Sequence, residues 1–295
     1  MAWPINVRIL YVVFGAYTLL DFPYEVFDNV APLLVLLVGS SFVFILLYWA
    51  DAYERESIEI LVYFLLWGAL VSTTVTSITY SIFEDTTNNL FIAATIEEVS
   101  KLIFFIFLLR NKIISWWTDG LVAGGLIGLG FTVNEDLYYL AIYDNSVEFA
   151  FQRTLYSIFA HSFFTGIAGA LIAYLWISHR KSLIFIPILI ASVTHFIWNY
   201  SAFNYFENFY SLHLIIPPLM MLFLALFLRA NEKKILERTV RKNVNKLKWD
   251  KELYTNLKLR KEFRNNLTNP LDKRQFDEKF HKEIHKLLFR EWKKK

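Results

Sequence analysis

Long apolar runs separated by short polar breaks make up most of the chain. A helix needs about 20 mostly apolar residues to cross a hydrocarbon layer of about 30 Å. The pattern predicts eight transmembrane helices, at about residues 4–20, 30–50, 58–80, 89–109, 119–142, 152–178, 183–203 and 211–229. The expected fold is therefore an all-α integral membrane protein, a bundle of about eight transmembrane helices.

Composition supports a membrane protein, and charge divides the chain in two. Hydrophobic residues make up 56% of the sequence, above the roughly 45–50% of soluble domains. The absence of cysteine excludes a disulfide-stabilised scaffold. Residues 1–229 hold 9 Lys and Arg against 17 Asp and Glu, whereas residues 230–295 hold 21 against 10. We predict a polytopic membrane domain over 1–229 and a basic amphipathic helical tail over 230–295, suited to anionic lipid headgroups.

The loops between the predicted spans indicate an orientation. Positively charged loops remain in the cytoplasm. With the amino terminus inside, the inner breaks collect Arg55, Arg110, Lys112, Arg180 and the basic tail, whereas Arg153 is the only cation near the acidic outer breaks. We therefore expect a multi-pass protein of the cell membrane with both termini in the cytoplasm.

Several ionisable and amide side chains lie inside predicted spans. A charge near the bilayer centre costs at least about 2.5–3.5 kcal/mol, so such residues face the protein interior and usually mark a function. The group consists of Glu97, Glu98 and Lys101 in the fourth span, Asn134, Glu135 and Asp136 in the fifth, His161 in the sixth, and His195 and Asn199 in the seventh. We expect Lys101 to be a charge partner of the glutamates, and Asp136, next to the outer end of its span, to be solvated.

The depth of these residues predicts that they converge. Counted from the outer ends of their spans, Glu98, Glu135, His161 and His195 lie roughly 12–15 Å deep at 1.5 Å per residue. Gly120, Gly124 and Gly128 form a stripe of small residues that permits close helix packing around them.

The spacing of these motifs resembles the PrsW family of membrane-embedded proteases and, more distantly, the CAAX-protease and bacteriocin-processing (CPBP) superfamily. The resemblance covers about residues 90–203, a catalytic-like core. It rests on Glu97-Glu98-x-x-Lys101, Gly130-Phe131-x-x-x-Glu135, His161 with Gly166 downstream, and His195-x-x-x-Asn199. Two positions depart from the PrsW pattern: Asp136 follows Glu135 in place of Asn, and Asn199 stands where Asp is frequent.

The resemblance implies a glutamate-dependent intramembrane endopeptidase that cuts membrane-anchored, anti-sigma-factor-like substrates on the extracytoplasmic side. By position it implies catalytic roles for Glu97, Glu98, Glu135, His161, His195 and Asn199, supported by Lys101 and Phe131.

Peptide hydrolysis requires an activated water, an oxyanion stabiliser and a proton for the leaving amine. We expect Glu97 or Glu98 to activate the water, the histidines to bind the oxyanion or position the water, and Asn199 to orient His195. Glu135 would hold a histidine tautomer or transfer a proton. No cofactor is expected; the alternative is a zinc ion held by His161, His195 and Glu98.

Two other functions fit the same residues. The carboxylates could relay protons or bind cations in a transporter or channel, or the bundle could be a non-catalytic scaffold that captures membrane helices. Because the sequence has no nucleotide-binding fingerprint and the basic tail suits a membrane surface, we expect lipids and a membrane-anchored protein as partners and no nucleic acid.

Overall fold

The described part of the chain is helical. The computed structural model describes residues 5–20, 24–51, 56–83, 89–111, 113–114 and 116–243, and within these ranges it contains ten α-helices and no strand. The α-helices are α1 (Ile5–Leu20), α2 (Val30–Ala50), α3 (Ile58–Leu66), α4 (Thr73–Ile82), α5 (Leu90–Leu102), α6 (Phe104–Arg110), α7 (Trp117–Ile142), α8 (Val147–Arg153), α9 (Phe159–Ile177) and α10 (Phe185–Asn243). The predicted all-α fold class is confirmed.

Five helical segments are long and apolar enough to cross a membrane by length and composition. They are Val30–Ala50, Ile58–Ile82, Val147–Ile177, Lys181–Ala202 and Ile215–Lys234. Membrane-length apolar helices are therefore present, and the total of eight spans stays a prediction.

Helix α10 differs from the sequence prediction. The pattern predicts a loop at residues 204–210 between two spans, but α10 continues from Phe185 to Asn243. Residues 204–210 contain neither glycine nor proline, so no local feature of the backbone ends the helix there. The two candidate membrane segments Lys181–Ala202 and Ile215–Lys234 lie on either side of this stretch.

Helix α7 lies at the centre of the bundle and carries several of the predicted site residues. It packs against α2, α3, α5 and α9, and most of its side chains from Thr118 to Thr132 are buried. A helix enclosed by protein does not need a uniformly apolar surface, so α7 can carry glycines on several faces together with Glu135 and Asp136.

The predicted glycine packing is confirmed. A Cβ atom on Gly120, Gly124 or Gly128 of α7 would collide with the backbone carbonyls of Gly169, Thr165 and His161, respectively, all on α9. The two backbones therefore touch at three successive turns, which only residues without a side chain allow. The last of these contacts fixes the height of His161 against α7.

Two of the candidate membrane-spanning segments are interrupted by π-helical turns, which the sequence did not predict. Trp67–Ser72 joins α3 to α4, and Thr154–Ile158 joins α8 to α9. A π-turn inserts extra backbone into a helix, and such turns are frequent at functional sites. The amide of Asn134 on α7 donates a hydrogen bond of 2.6 Å to the carbonyl of Ala69, which ties the first π-turn to the centre of the bundle.

The chain divides into two compact units, Met1–Leu226 and Phe227–Lys295. The described residues of the second unit belong to the C-terminal part of α10. Most of the predicted basic tail, residues 244–295, lies outside the described residues.

Candidate active site

Helix α5 brings three charged side chains into the interior of the bundle. Asn89 caps the helix by accepting hydrogen bonds from the backbone amides of Phe91 and Ile92. Two turns later, Glu97, Glu98 and Lys101 are all buried. Lys101 Nζ lies 2.9 Å from Glu98 Oε1 and 3.6 Å from Glu97 Oε2, so the expected charge pairing on this helix is present.

Glu98 is fully enclosed and both of its carboxylate oxygens have hydrogen-bond partners. Its Oε1 accepts from Lys101 Nζ and lies 3.1 Å from Nδ1 of His195, while Oε2 accepts a hydrogen bond of 2.9 Å from the hydroxyl of Thr165. Three partners on three helices therefore hold this carboxylate, which compensates its removal from water.

Glu97 has different surroundings. Its Oε1 accepts a hydrogen bond of 3.1 Å from the hydroxyl of Tyr80 on α4. Its Oε2 accepts no hydrogen bond from any described residue, although it lies 3.7 Å from Nε2 of His195. Glu97 also lines a cavity, although Oε2 itself is buried within the cluster and lies 3.6 Å from Lys101 Nζ.

His161 lies between a cation and a carboxylate. Its Nδ1 is 3.0 Å from Lys101 Nζ, and its Nε2 is 3.4 Å from Glu135 Oε2. An ammonium group only donates, so Nδ1 accepts and the proton of a neutral imidazole is on Nε2. His161 therefore presents an N–H group toward Glu135.

His195 has the opposite arrangement. Its Nδ1 faces the carboxylate of Glu98, which only accepts, so the Nδ1 nitrogen carries a proton. In the neutral imidazole, Nε2 then has a free lone pair directed toward Glu97. The rings of His195 and His161 meet edge to face with their centroids 4.6 Å apart.

Arg153 connects the two acids of α7 to α8. Its guanidinium lies 3.1 Å from Glu135 Oε2 and 2.6 Å from Asp136 Oδ1, and it stacks over the ring of Tyr139. Ser157 donates a further hydrogen bond to Asp136. The prediction that Asp136 is solvated is wrong: it is fully buried, because an arginine and a serine from the neighbouring segment replace water around it.

The π-turn Thr154–Ile158 sets the angular position of His161 relative to Arg153. In a regular α-helix, eight residues at about 100° each would leave the two side chains about 80° apart. One extra residue in the π-turn reduces the offset to about 20°. Both side chains can therefore reach the same oxygen of Glu135.

A cavity of about 1060 Å³ leads to this cluster. Besides Glu97, Glu135 and His161, its lining includes Asn199, which was predicted from sequence, and Tyr80. Residues at the C-terminal end of α7, the N-terminal end of α5 and in α8 also line it, for example Tyr143, Leu90 and Phe149. These are the helix ends that the charge pattern predicts to be extracytoplasmic.

The structure brings together most of the residues that the sequence singled out. Glu97, Glu98, Lys101, His161 and His195 contact one another, Glu135 contacts His161, and the ring of Phe131 lies 3.8 Å below Lys101 Nζ. Among the described residues, His195 contacts the two glutamates and the rings of His161 and Phe164 and makes no hydrogen bond to Asn199, which lines the cavity.

Four contributors were missed from sequence: Tyr80, Thr165, Arg153 and Ser157. Only Arg153 carried a signal, as the single cation beside an otherwise acidic outer surface. Hydroxyl residues are common in membrane helices, so the other three do not stand out in the sequence.

Three of the residues predicted from sequence could contribute ligands to a metal ion. Glu97, His161 and His195 each offer an atom within 4.8 Å of the others, with Glu97 at the position that the sequence-based alternative gave to Glu98. Glu97 Oε2 and His195 Nε2 suit a metal ion because both have free lone pairs. His161 does not, because Lys101 is on Nδ1 and the Nε2 proton faces Glu135. A metal ion on His161 would require Lys101 to move away or lose its charge.

Comparisons with known proteins identify the family of the chain. A family model described as PrsW family intramembrane metalloprotease matches residues 56–228. The chain is also 27% identical over 194 residues to Protease PrsW of Oceanobacillus iheyensis, an alignment that covers 61% of this chain and 87% of that protein. No solved structure matches the chain significantly.

Proposed function

Because the chain belongs to the PrsW family of intramembrane proteases, we propose that it cuts membrane-anchored proteins by means of a water molecule activated by Glu97. The observation that carries this assignment is the contrast between two adjacent glutamates. Glu98 is saturated by Lys101, His195 and Thr165, whereas Glu97 lines the cavity and has one oxygen without a hydrogen bond from the described residues. Glu98 is then the structural anchor of the pair.

The proposed reaction begins with a water molecule between Glu97 Oε2 and His195 Nε2. Both atoms accept hydrogen bonds, so they can orient the two water protons and direct an oxygen lone pair into the cavity. Glu97 takes one proton as the water oxygen attacks the peptide carbonyl carbon. It then returns that proton to the nitrogen of the leaving amine.

The negative charge on the carbonyl oxygen requires donors on the opposite side. The Nε2–H of His161 and the side-chain amide of Asn199 are the candidates, since both residues line the cavity. The Nε2–H faces Glu135 Oε2 at the long distance of 3.4 Å, so the carbonyl oxygen would share this proton with Glu135. His161 can donate without changing its protonation state because Lys101 keeps the proton on Nε2. Asn199 thus takes a direct role here instead of orienting His195.

The family description names a metalloprotease, so the metal-dependent alternative needs a direct comparison. A zinc ion on Glu97 and His195 would supply a more acidic bound water, but the third ligand, His161, has neither nitrogen available while Lys101 is in place. We therefore propose a metal-independent reaction, in which Lys101 supplies the positive charge of the cluster.

The location follows the sequence pattern. We place the cavity in the extracytoplasmic half of the cell membrane and both termini in the cytoplasm, with residues 230–295 as a basic tail on the inner surface. Whether an anti-sigma factor is the substrate stays an expectation from the resemblance.

The test uses purified full-length protein in proteoliposomes with a panel of single-span reporter proteins. We expect wild type to cleave at least one reporter, and Glu97→Gln to abolish cleavage while the protein remains folded. Cleavage should persist with 1,10-phenanthroline. Loss of cleavage with the chelator, restored by added zinc, would overturn the metal-independent mechanism.

The same vesicles separate the other functions. Proton or cation flux that depends on Glu97 and Glu135, with no cleavage of any reporter, would favour a transporter. Reporter binding that survives Glu97→Gln, without cleavage by wild type, would favour a scaffold. Either result would refute the proposed function.

A further inference from the structure

Arg153 is the one lysine or arginine among the described residues that line the cavity. It is largely buried, and its charge is balanced locally by Glu135 and Asp136. It lies on α8 and does not contact Glu97, Glu98 or the histidines in the described structure. Any effect of Arg153 on hydrolysis must therefore pass through one of its two carboxylate partners.

Arg153 is connected to His161 through a single atom of Glu135. Oε2 of Glu135 is 3.1 Å from the Arg153 guanidinium and 3.4 Å from Nε2 of His161. Fixing Oε2 therefore fixes the acceptor toward which the His161 N–H is directed. Without Arg153, the Glu135 side chain could adopt other rotamers, and the imidazole would lose a partner on its cavity side.

The guanidinium of Arg153 is anchored by Asp136 and Tyr139. Nε and Nη2 of Arg153 both bind Oδ1 of Asp136, at 2.7 and 2.6 Å, and Ser157 holds the same carboxylate at 2.8 Å. Stacking over Tyr139 fixes the guanidinium plane, with 4.2 Å between Cζ and the ring centroid. Nη2 carries two protons, so it can bind both carboxylates: Asp136 holds the arginine in place, and the second proton of Nη2 orients Glu135.

We propose that Arg153 is a positioning residue for peptide hydrolysis, acting through Glu135 on the Nε2–H of His161. The inference rests on the proposed function, because it assigns His161 as the donor to the oxyanion. This role also assigns a function to the π-turn Thr154–Ile158, since this turn brings Arg153 and His161 to the same oxygen of Glu135.

The kinetic test compares Arg153→Gln with wild type on a reporter that wild type cleaves. We expect kcat to fall roughly 10- to 100-fold, as for a misplaced catalytic group, with little change in KM. Arg153→Lys should restore part of kcat, because an ammonium can hold one carboxylate but lacks the planar fork for two. The matched control is Arg110→Gln, an exposed arginine at the end of α6, which should behave like wild type.

A double-mutant cycle separates positioning from a general structural role. If Arg153 acts through Glu135, then Arg153→Gln should cause no further loss of kcat in a Glu135→Gln background. An equal additional loss in that background would overturn the inference. So would an unchanged kcat, or a raised KM with unchanged kcat, which would make Arg153 a substrate-binding residue.

A double variant with a neutral pair of side chains is the control for effects on folding. Arg153→Gln alone leaves Asp136 buried without its cation, so the variant Asp136→Asn/Arg153→Gln removes both charges together. It should keep the wild-type melting temperature more closely and still show the reduced kcat; a wild-type kcat would overturn the inference. If wild type cleaves no reporter, the proposed function itself fails. If wild type and every Arg153 variant cleave normally, only the inference about Arg153 fails.

Discussion

The hydroxyl of Tyr80 donates a hydrogen bond of 3.1 Å to Oε1 of Glu97, the carboxylate whose other oxygen accepts no hydrogen bond from the described residues. This contact joins α4 to α5 and fixes the direction in which Oε2 points. Tyr80 itself lines the cavity, so it contributes to the site from a helix that carries no acid or histidine.

Replacement of Tyr80 by Phe should therefore lower kcat. A hydrogen bond to a charged group contributes about 1.5–3 kcal/mol, and its loss frees the Glu97 side chain to rotate, so we expect a reduction of about tenfold in reporter cleavage. Tyr174→Phe, at a tyrosine that stacks on Trp117 at the far end of α9, is the matched control. Equal activity of the two variants would argue against this role for Tyr80.

The two glutamates of α5 should respond differently to the same substitution. Glu98→Gln leaves Lys101 buried with a weakened partner, which we expect to cost up to about 3–5 kcal/mol of unfolding free energy. Glu97→Gln should abolish cleavage with a smaller loss of stability, because Glu97 Oε2 accepts no hydrogen bond from the described residues and lies 3.6 Å from Lys101 Nζ, against 2.9 Å for Glu98 Oε1. Thermal unfolding in detergent together with reporter cleavage measures both effects. The assignment of the base would be reversed if Glu97→Gln remained active and Glu98→Gln were folded but inactive.

Gly128→Ala should destabilise the protein and reduce its activity. The added methyl group would collide with the backbone carbonyl of His161, which cannot move without shifting the histidine, at a cost of roughly 1–3 kcal/mol or more. Gly15→Ala is the control, because its Cβ would meet only Leu70 Cδ1 at 3.4 Å, an ordinary contact. Unfolding temperatures of the two variants, measured side by side, should differ clearly; similar values would contradict the close approach of α7 and α9.

The stability of the protein should depend on pH through Glu56, which precedes α3. Burial, followed by the nearby charges of Asp119 and Asp51, raises the pKa of Glu56 from 4.5 to about 8. The folded protein therefore holds this proton more tightly than the unfolded chain, so the contribution of Glu56 to stability falls as pH rises from 4.5 to about 8.

Melting temperatures measured across this range test the effect. Glu56→Gln should flatten the decline between pH 4.5 and 8, because glutamine has no proton to lose. The control Glu59→Gln, an exposed residue in the first turn of α3, should keep the wild-type slope. A Glu56→Gln profile parallel to that of wild type would refute the assignment.

The convergence of the site could be predicted from sequence because it follows from one energetic rule. Charges inside apolar spans must avoid lipid, and four spans with acids or histidines at similar depth have few ways to do so other than to share an interior. For this reason the sequence alone was sufficient to group Glu97, Glu98, Glu135, His161 and His195.

Finer features depended on contacts that no periodicity encodes. Which glutamate faces the cavity is decided by Thr165 and Tyr80, two hydroxyl residues on other helices. The burial of Asp136 follows from Arg153 and Ser157, and their π-turn shifts the helical register by one residue, which a regular 3.6-residue period does not predict. The uninterrupted α10 was missed because polar residues suggested a loop where no helix-breaking residue exists.

The backbone contacts along Gly120, Gly124 and Gly128 restrict how a substrate can arrive. Where two main chains touch at three consecutive turns, no third polypeptide can pass between them, so the seam between α7 and α9 is closed to lateral entry from the lipid. We expect a protein to be cut to enter elsewhere, for example past the ends of α5, α7 and α8, which line the cavity. A helical substrate that enters there would have to unravel first, so we expect sequences that fray easily near the membrane surface to be cut first.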